Sequence, residues 1–416
     1  MAVVLRLREF GANFLLIIAG VLMAAIVAEL AIRACGLAKP AFYAYDGRRG
    51  WGMRPGAAGW QRDEGRAWVR INRWGYRGAD WSTTKPPDTL RIAVIGDSFT
   101  EAPQVAEDQT FTAVAARTLE AISRTKDAHP MRVEGLNLGV DGYGTAQELL
   151  TLPDVWKFAP DVIVLAFFPG NDFRNNSVDL EGDKCRPFYV YRDDKLELGG
   201  PFVADRRFRF SCFARFASEH SQLLNVLGRA RSVIRAYLRR WANPARPKLS
   251  RREARRPARP REPGINDAIY VPPFNPVWRA AWRVTEAEIE MAHQEAERHH
   301  TAFLLMVLSV GIQVSPDSAE RSAFLKQIGA TDLFYPDQRL RQFGAAHGFD
   351  VLDLPPAMQA YAVAHRVYFH GFANTHMGVG HWNQQGHEFG GRALAAEIER
   401  LITRSGNGAP TPTSVP

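Results

Sequence analysis

Cysteine is scarce in this chain: Cys35, Cys185 and Cys212 are the only three in 416 residues. They are too scattered for a zinc site, and no His/Cys/Asp cluster has metal-ligand spacing, so no metal or other cofactor is expected. A phosphate-binding glycine loop is missing too. The stretch "GVDGYG", residues 139–144, has a superficial likeness to one but lacks the Lys-Ser/Thr of a P-loop and the spacing of a dinucleotide fingerprint. Internal repeats are absent. Nor is positive charge spread over the chain, although the formal net charge is +8. Between Arg229 and Arg261 thirteen Arg/Lys stand against one acid, Glu253, so that segment carries +12 and the remainder −4. The basicity is local, and nucleic acid is not an expected partner.

What is present is ordinary globular material, 46% hydrophobic and 23% charged, enough for one large domain or two ordinary ones. The strongest compositional signal lies at the N-terminus. From Phe14 to Ala28 the chain is unbroken apolar or glycine, and the wider span Phe10 to Ile32 is interrupted only by Asn13 and Glu29. Twenty-three helical residues rise roughly 34 Å, enough to cross a hydrocarbon core. One membrane helix is expected over residues 10–33 behind a short tail, 1–9. Arg6 and Arg8 favour a cytoplasmic tail and an extracytoplasmic body, while Arg33 and Lys39 weaken that asymmetry. The expected location is therefore an inner membrane crossed once, with the body in the periplasm. A cleaved signal peptide is the alternative, but no A-x-A cleavage pattern occurs. In such a compartment Cys185 and Cys212 could pair across 27 residues; two free, buried thiols are the alternative.

Residues 40–88 are rich in Trp, Gly, Arg and Pro and read as a lead-in of loop or short hairpin. Apolar runs then alternate with helix-like segments. The strands fall at Leu90–Ile95, Val133–Leu138, Val162–Phe168, Phe303–Val310 and Val351–Leu354; the helices fall at 110–123, 145–156, 279–299, 337–347 and 385–403. Nearly all-apolar strands between helices predict an α/β fold with a parallel sheet covered on both faces. The domain is split into residues 89–184 and 276–405, with a disordered tail over 406–416. The insertion, 185–275, holds a helix-like stretch from Ser221 and a Pro/Arg-rich run that cannot bury enough surface to order itself. Its basic part, 229–261, could touch anionic lipid or an acidic glycan, or simply be solvated.

Chemistry gathers after the strands. In an open α/β sheet, ligands bind outside the carboxyl ends of the strands. Ser98, in "GDSFTE", sits at such a turn, where a nucleophile's hydroxyl and its own N–H can point into one crevice. A helix cap is the alternative reading of that serine. Gly142 opens the loop after the second strand, Asn171 follows the third, and His381 precedes the last helix in "GHWNQQGH". A serine, a glycine N–H, an asparagine amide and a histidine make a site for acyl transfer.

Ser98, Gly142, Asn171 and His381, in that order, resemble the four blocks of the SGNH/GDSL hydrolase superfamily, and more narrowly its membrane-anchored bacterial cell-surface type. The resemblance covers residues 90–404 apart from the insertion. It implies a flavodoxin-like three-layer α/β/α sandwich with a parallel central sheet. It also implies that Ser98 is the nucleophile, that His381 is the general base, and that the oxyanion hole comprises the Ser98 N–H, the Gly142 N–H and the Asn171 amide. Two departures stand out. Pro169 occupies the first glycine position of the third block, and Gly378 stands three residues before His381 where the family has an aspartate. A backbone carbonyl, Asp353 or Asp172 would then have to orient the histidine. His387 is a rival base, disfavoured because His381 and Asn383 meet the His-x-Asn pattern; His376 reads as a loop residue and Asp97 as a structural carboxylate. The implied function is a serine esterase or acyltransferase acting on ester groups, O-acetyl above all, of an extracytoplasmic glycan. The alternative is a catalytically degenerate domain that binds carbohydrate or serves as scaffold in envelope polysaccharide machinery.

Overall fold

The structure is a computed structural model that describes residues 2–35, 40–126, 130–199, 206–224, 226–227 and 262–407. It divides into two compact units, residues 1–41 with 210–260 and residues 42–209 with 261–416. In the first, α1 (Ala2–Ala34) is one helix, and its part Asn13–Ala34 is long and apolar enough to cross a membrane, with none of it buried. The polar interruption Glu29 has a local use. Its carboxylate accepts hydrogen bonds from the backbone N–H groups of Gln222 (3.0 Å) and Leu223 (2.8 Å), capping the short helical turn that follows Ser221.

The second unit starts with two antiparallel hairpins where the sequence reads as a lead-in. One pairs β1 (Tyr43–Asp46) with β2 (Gly50–Met53), the other β3 (Ala58–Gln61) with β4 (Ala67–Arg70). Four-residue strands are too short for an alternation to show in sequence, which is why the region looks irregular.

The core follows: β5 (Thr89–Gly96), α2 (Ser98–Glu101), α3 (Phe111–Lys126), β6 (Arg132–Gly139), α4 (Thr145–Leu149), α5 (Leu152–Val155), β7 (Val162–Phe167) and α6 (Asp172–Asn175). After the insertion come α8 (Pro276–Arg298), β10 (Ala302–Val307), α9 (Ser318–Ile328), α10 (Tyr335–His347), β11 (Asp350–Asp353), α11 (Pro355–His365) and α12 (Gln384–Asn407). The helix expected over 145–156 is broken in two because Pro153 cannot donate to the carbonyl four residues back. All five core strands run parallel in the order β6-β5-β7-β10-β11. Numbered by their own succession that is 2-1-3-4-5, the flavodoxin-like arrangement. Every residue of β5 and β7 is buried, as central strands covered on both faces require. Helices α3 and α12 pack together as one layer, and α8 packs with α4 and α6 in the other.

The insertion contains a hairpin of β8 (Tyr189–Arg192) with β9 (Lys195–Leu198) and the helix α7 (Arg206–His220). Cys185 and Cys212 are disulfide-bonded and Cys35 is free. The basic run 229–261 and the tail beyond Asn407 lie outside the described residues.

Candidate active site

In a 2-1-3-4-5 sheet the connections after the first and third strands leave in opposite directions, opening a crevice at the strand ends. Those strands are β5 and β7, and they deliver Ser98 and Asn171. Asp97 starts the turn after β5: its Oδ1 accepts the Phe99 N–H at 2.9 Å and caps α2, so Ser98 becomes that helix's first residue. Its Oδ2 accepts from Asn171 Nδ2 at 3.1 Å, tying the third strand's loop to the serine turn. Asp97 is the structural carboxylate the sequence suggests. Burial pushes its pKa up to about 6 against the pull of these two hydrogen bonds.

His381 lies across from this turn. Its Nε2 accepts the Ser98 hydroxyl at 2.8 Å, and its Nδ1–H donates to Glu64 Oε2 at 2.6 Å. The other Glu64 oxygen accepts the His381 backbone N–H at 2.8 Å. Serine, imidazole and carboxylate therefore form one continuous hydrogen-bond chain, which is the geometry of a nucleophile, a base and its orienting acid. Burial works to lower the His381 pKa, but the bond and charge of Glu64 outweigh it and the net shift is upward. For Glu64, burial alone would raise the pKa; the contact with His381 prevails and holds it below the usual carboxylate range.

The orienting acids expected from sequence are corrected. Asp172 Oδ2 accepts the Phe168 N–H at 2.7 Å, turning back onto its own loop, and Asp353 pairs with Arg341 at 3.4 Å. Neither reaches the imidazole. Glu64 does, from the β3–β4 hairpin, 317 residues earlier in the chain. The Asn374 side chain staples that hairpin's loop: its Oδ1 accepts from Gly65 N at 3.0 Å, and its Nδ2 donates to the carbonyls of Arg62 (3.1 Å) and Gly65 (3.0 Å). Gly380 lets the carboxylate come close, since a Cβ there would lie 2.0 Å from Glu64 Oε1. No sequence signal connects the two; only the missing aspartate hints that an acid must come from elsewhere.

The other histidines have structural duties. His370 Nδ1–H donates to the Gly380 carbonyl at 2.6 Å, and its Nε2 accepts from Ser309 Oγ at 2.9 Å. Trp382 Nε1–H donates in turn to that hydroxyl at 2.9 Å, so the loop carrying His381 rests on a fully satisfied polar chain. Burial pulls the His370 pKa down to about 4, keeping the ring neutral. His387 Nδ1 accepts the Phe111 N–H at 3.3 Å inside the core, and His376 is exposed on its loop.

Gly142 turns at φ +74°, a left-handed value that suits glycine. Its loop is held at three further points: Val140 N–H donates to the Gly96 carbonyl at 3.0 Å, Asp141 N–H to Glu101 Oε2 at 2.7 Å, and Arg186 Nη2 to the Gly142 carbonyl at 2.8 Å. Trp51 Nε1–H adds the most informative contact, donating to the Asp141 carbonyl at 3.0 Å. That carbonyl and the Gly142 N–H belong to one planar peptide and point in opposite directions, so the buried indole fixes the aim of the N–H. Neither the Ser98 nor the Gly142 N–H has a protein acceptor among the described residues. Sequence reasoning missed Trp51 and Arg186 as well as Glu64. Among the described residues no cluster of His, Cys, Asp or Glu could hold a metal ion.

No family model matches the chain, and no curated protein matches it. Among solved structures, an acetyl xylan esterase, AlAXEase, is similar with a TM-score of 0.36 and 12% identity, over 74% of this chain and 100% of that one. LAE5, an alpha/beta hydrolase enzyme from the metagenome of Lake Arreo, Spain, gives 0.35 and 14%, over 75% and 96%. Axe2, an acetylxylan esterase from Geobacillus stearothermophilus, gives 0.33 and 12%, over 74% and 94%.

Proposed function

We propose that the protein is a serine esterase or acyltransferase of the SGNH/GDSL type acting on O-acyl, chiefly O-acetyl, groups of an extracytoplasmic glycan. The observation that carries this reading is the chain Ser98–His381–Glu64, with contacts of 2.8 and 2.6 Å. Ser98 Oγ attacks the ester carbonyl carbon as its proton passes to His381 Nε2. Glu64 holds Nδ1–H in place and balances the imidazolium charge. The oxyanion is received by the Ser98 and Gly142 N–H groups with the Asn171 amide. The tetrahedral intermediate collapses, the imidazolium protonates the departing sugar oxygen, and an acetyl-serine remains. Water, or a hydroxyl of a second sugar, then attacks that ester with His381 again taking the proton; the first outcome is hydrolysis, the second transfer.

Disulfide-bonded Cys185 and Cys212 support an oxidising compartment, and α1 with Arg6 and Arg8 before it supports a single membrane crossing with the α/β domain outside the cytoplasm. The degenerate-domain reading rests on the missing aspartate, and a carboxylate 2.6 Å from Nδ1 removes that ground. A fluorophosphonate probe tests the proposal. Covalent label on Ser98 in folded full-length protein, lost in Ser98→Ala, is the expected result; a folded protein left unlabelled overturns it.

A further inference from the structure

The hairpin that supplies Glu64 carries more than an acid. Alternation along β3 and β4 turns Gly59, Ala67 and Val69 inward and leaves Trp60 and Trp68 outward, 40% and 52% exposed. The two indoles are directly opposite in register, 5.7 Å apart and 77° to one another. Nothing in the core requires them there, and exposed paired aromatics on a rigid hairpin mark an interaction surface.

Two guanidinium groups flank the pair. Arg66 lies 5.1 Å and Arg62 5.8 Å from the centre of the Trp60 ring. Both side chains border an open groove of about 920 Å³, where guanidinium N–H groups can donate to a ligand. Gly65, Asn383, Gln384 and Gln385 line it with them. The groove excludes Ser98 and His381 themselves, yet it reaches within one residue of Glu64 and two of His381. An acetyl group needs a small fraction of that space.

We propose that the outer face of the β3–β4 hairpin and the adjoining groove bind a glycan chain, so that the polymer is gripped beside the acid–base pair rather than only at the reacting ester. A pyranose ring offers one apolar C–H face to stack on an indole and a rim of hydroxyls, or a carboxylate, for guanidinium and amide groups. Trp60 and Trp68 supply the first; Arg62, Arg66, Gln384 and Gln385 supply the second. The groove also presents Phe372, Ala373 and Met377, a further apolar wall for a pyranose face; a bilayer surface is the competing occupant that the vesicle measurement below separates. The esterase reading is needed here only to say why the glycan is acylated.

Binding can be read without turnover. Full-length Ser98→Ala protein in detergent micelles, immobilised and exposed to acetyl-free xylan and to polygalacturonate, is expected to bind at least one of them. The double variant W60A/W68A is expected to weaken that binding at least tenfold, and R62Q/R66Q, which leaves the indoles and hairpin backbone intact should the tryptophan variant misfold, by a similar factor. Weakening by salt identifies a carboxylated glycan; salt-insensitive binding identifies a neutral one. Failure to bind either glycan, binding by both double variants as tight as that of the Ser98→Ala parent, or Trp-dependent binding to phosphatidylglycerol vesicles alone overturns the proposal. Glycan binding without Ser98 labelling would remove the esterase reading and leave this site standing, whereas labelling without glycan binding would do the reverse.

Discussion

Replacing Glu64 with glutamine tests the hydrogen-bond chain at its least anticipated member. Glutamine has almost the same shape but one acceptor oxygen, while His381 offers two donors, Nδ1–H at 2.6 Å and the backbone N–H at 2.8 Å. If the amide oxygen keeps the backbone bond, the NH₂ faces Nδ1 and forces the ring into the tautomer protonated at Nε2. That nitrogen can no longer accept the Ser98 proton. The reverse orientation sets an NH₂ against the backbone N–H and loses that bond. The equivalent carboxylate-to-amide change in a serine triad lowers kcat by about 10⁴, which at about 1.36 kcal/mol per decade is about 5.5 kcal/mol of transition-state stabilisation. Steady-state hydrolysis of p-nitrophenyl acetate by the full-length protein measures it, with circular dichroism as the check on folding. The pH profile gives a second readout. Wild-type kcat/KM should fall on the acid side with a midpoint above 6.5, because Glu64 holds the His381 pKa up and the ring must be neutral to act as a base. In E64Q that limb should move to lower pH. A folded E64Q within threefold of wild type would refute the assignment of Glu64 as the orienting acid.

Three further outcomes follow from the same geometry. Asn171→Ala should lower kcat about 10²–10³-fold with a smaller change in KM, as expected for one oxyanion donor; an unchanged kcat removes Asn171 from the hole. Trp51→Phe leaves the Asp141 carbonyl unpaired and the Gly142 peptide free to tilt, so kcat should drop roughly tenfold while KM holds, and a loss confined to KM would contradict a positioning role. Glu101 is buried and its pKa is pushed up to about 8, first by that burial and then by Asp141, against the Asp141 N–H, Tyr43 and Arg77. A carboxyl raised in the folded state stabilises fully below its unfolded pKa of about 4.5 and loses that contribution as pH climbs through 8. The Tm should therefore decline between pH 5 and 8.5, and Glu101→Gln should flatten the decline; an identical slope in both proteins would show that Glu101 does not titrate in that window.

How far the sequence can be read depends on how local each signal is. The five core strands and the main helices announce themselves through long apolar runs, and Ser98, Gly142, Asn171 and His381 lie on connections whose place at the strand ends follows from the fold. His381 Nε2 lies 2.8 Å from Ser98 Oγ, whereas His387 is turned into the core, its Nδ1 accepting the Phe111 N–H. Glu64 is illegible for a physical reason. Its hairpin has four-residue strands without visible periodicity, and its partner lies 317 positions away. Asp172 and Asp353 look like better acids because both flank core strands. Proximity to a strand end places a backbone, though, and Asp172 spends its carboxylate on Phe168 N–H while Asp353 faces Arg341. Trp51 escapes notice similarly: an indole steadying a peptide 90 residues on leaves no trace in spacing.

The origin of the Glu64 carboxylate, in a hairpin ahead of the sheet, bears on how much of the chain the site needs. A scan for an acid three places ahead of His381 finds Gly378 and overlooks Glu64, because it inspects one loop and never looks at the ribbon folded over from the front. Cutting the protein at the first core strand would keep Ser98 and His381 but remove Glu64, leaving the imidazole without the carboxylate that holds its Nδ1–H.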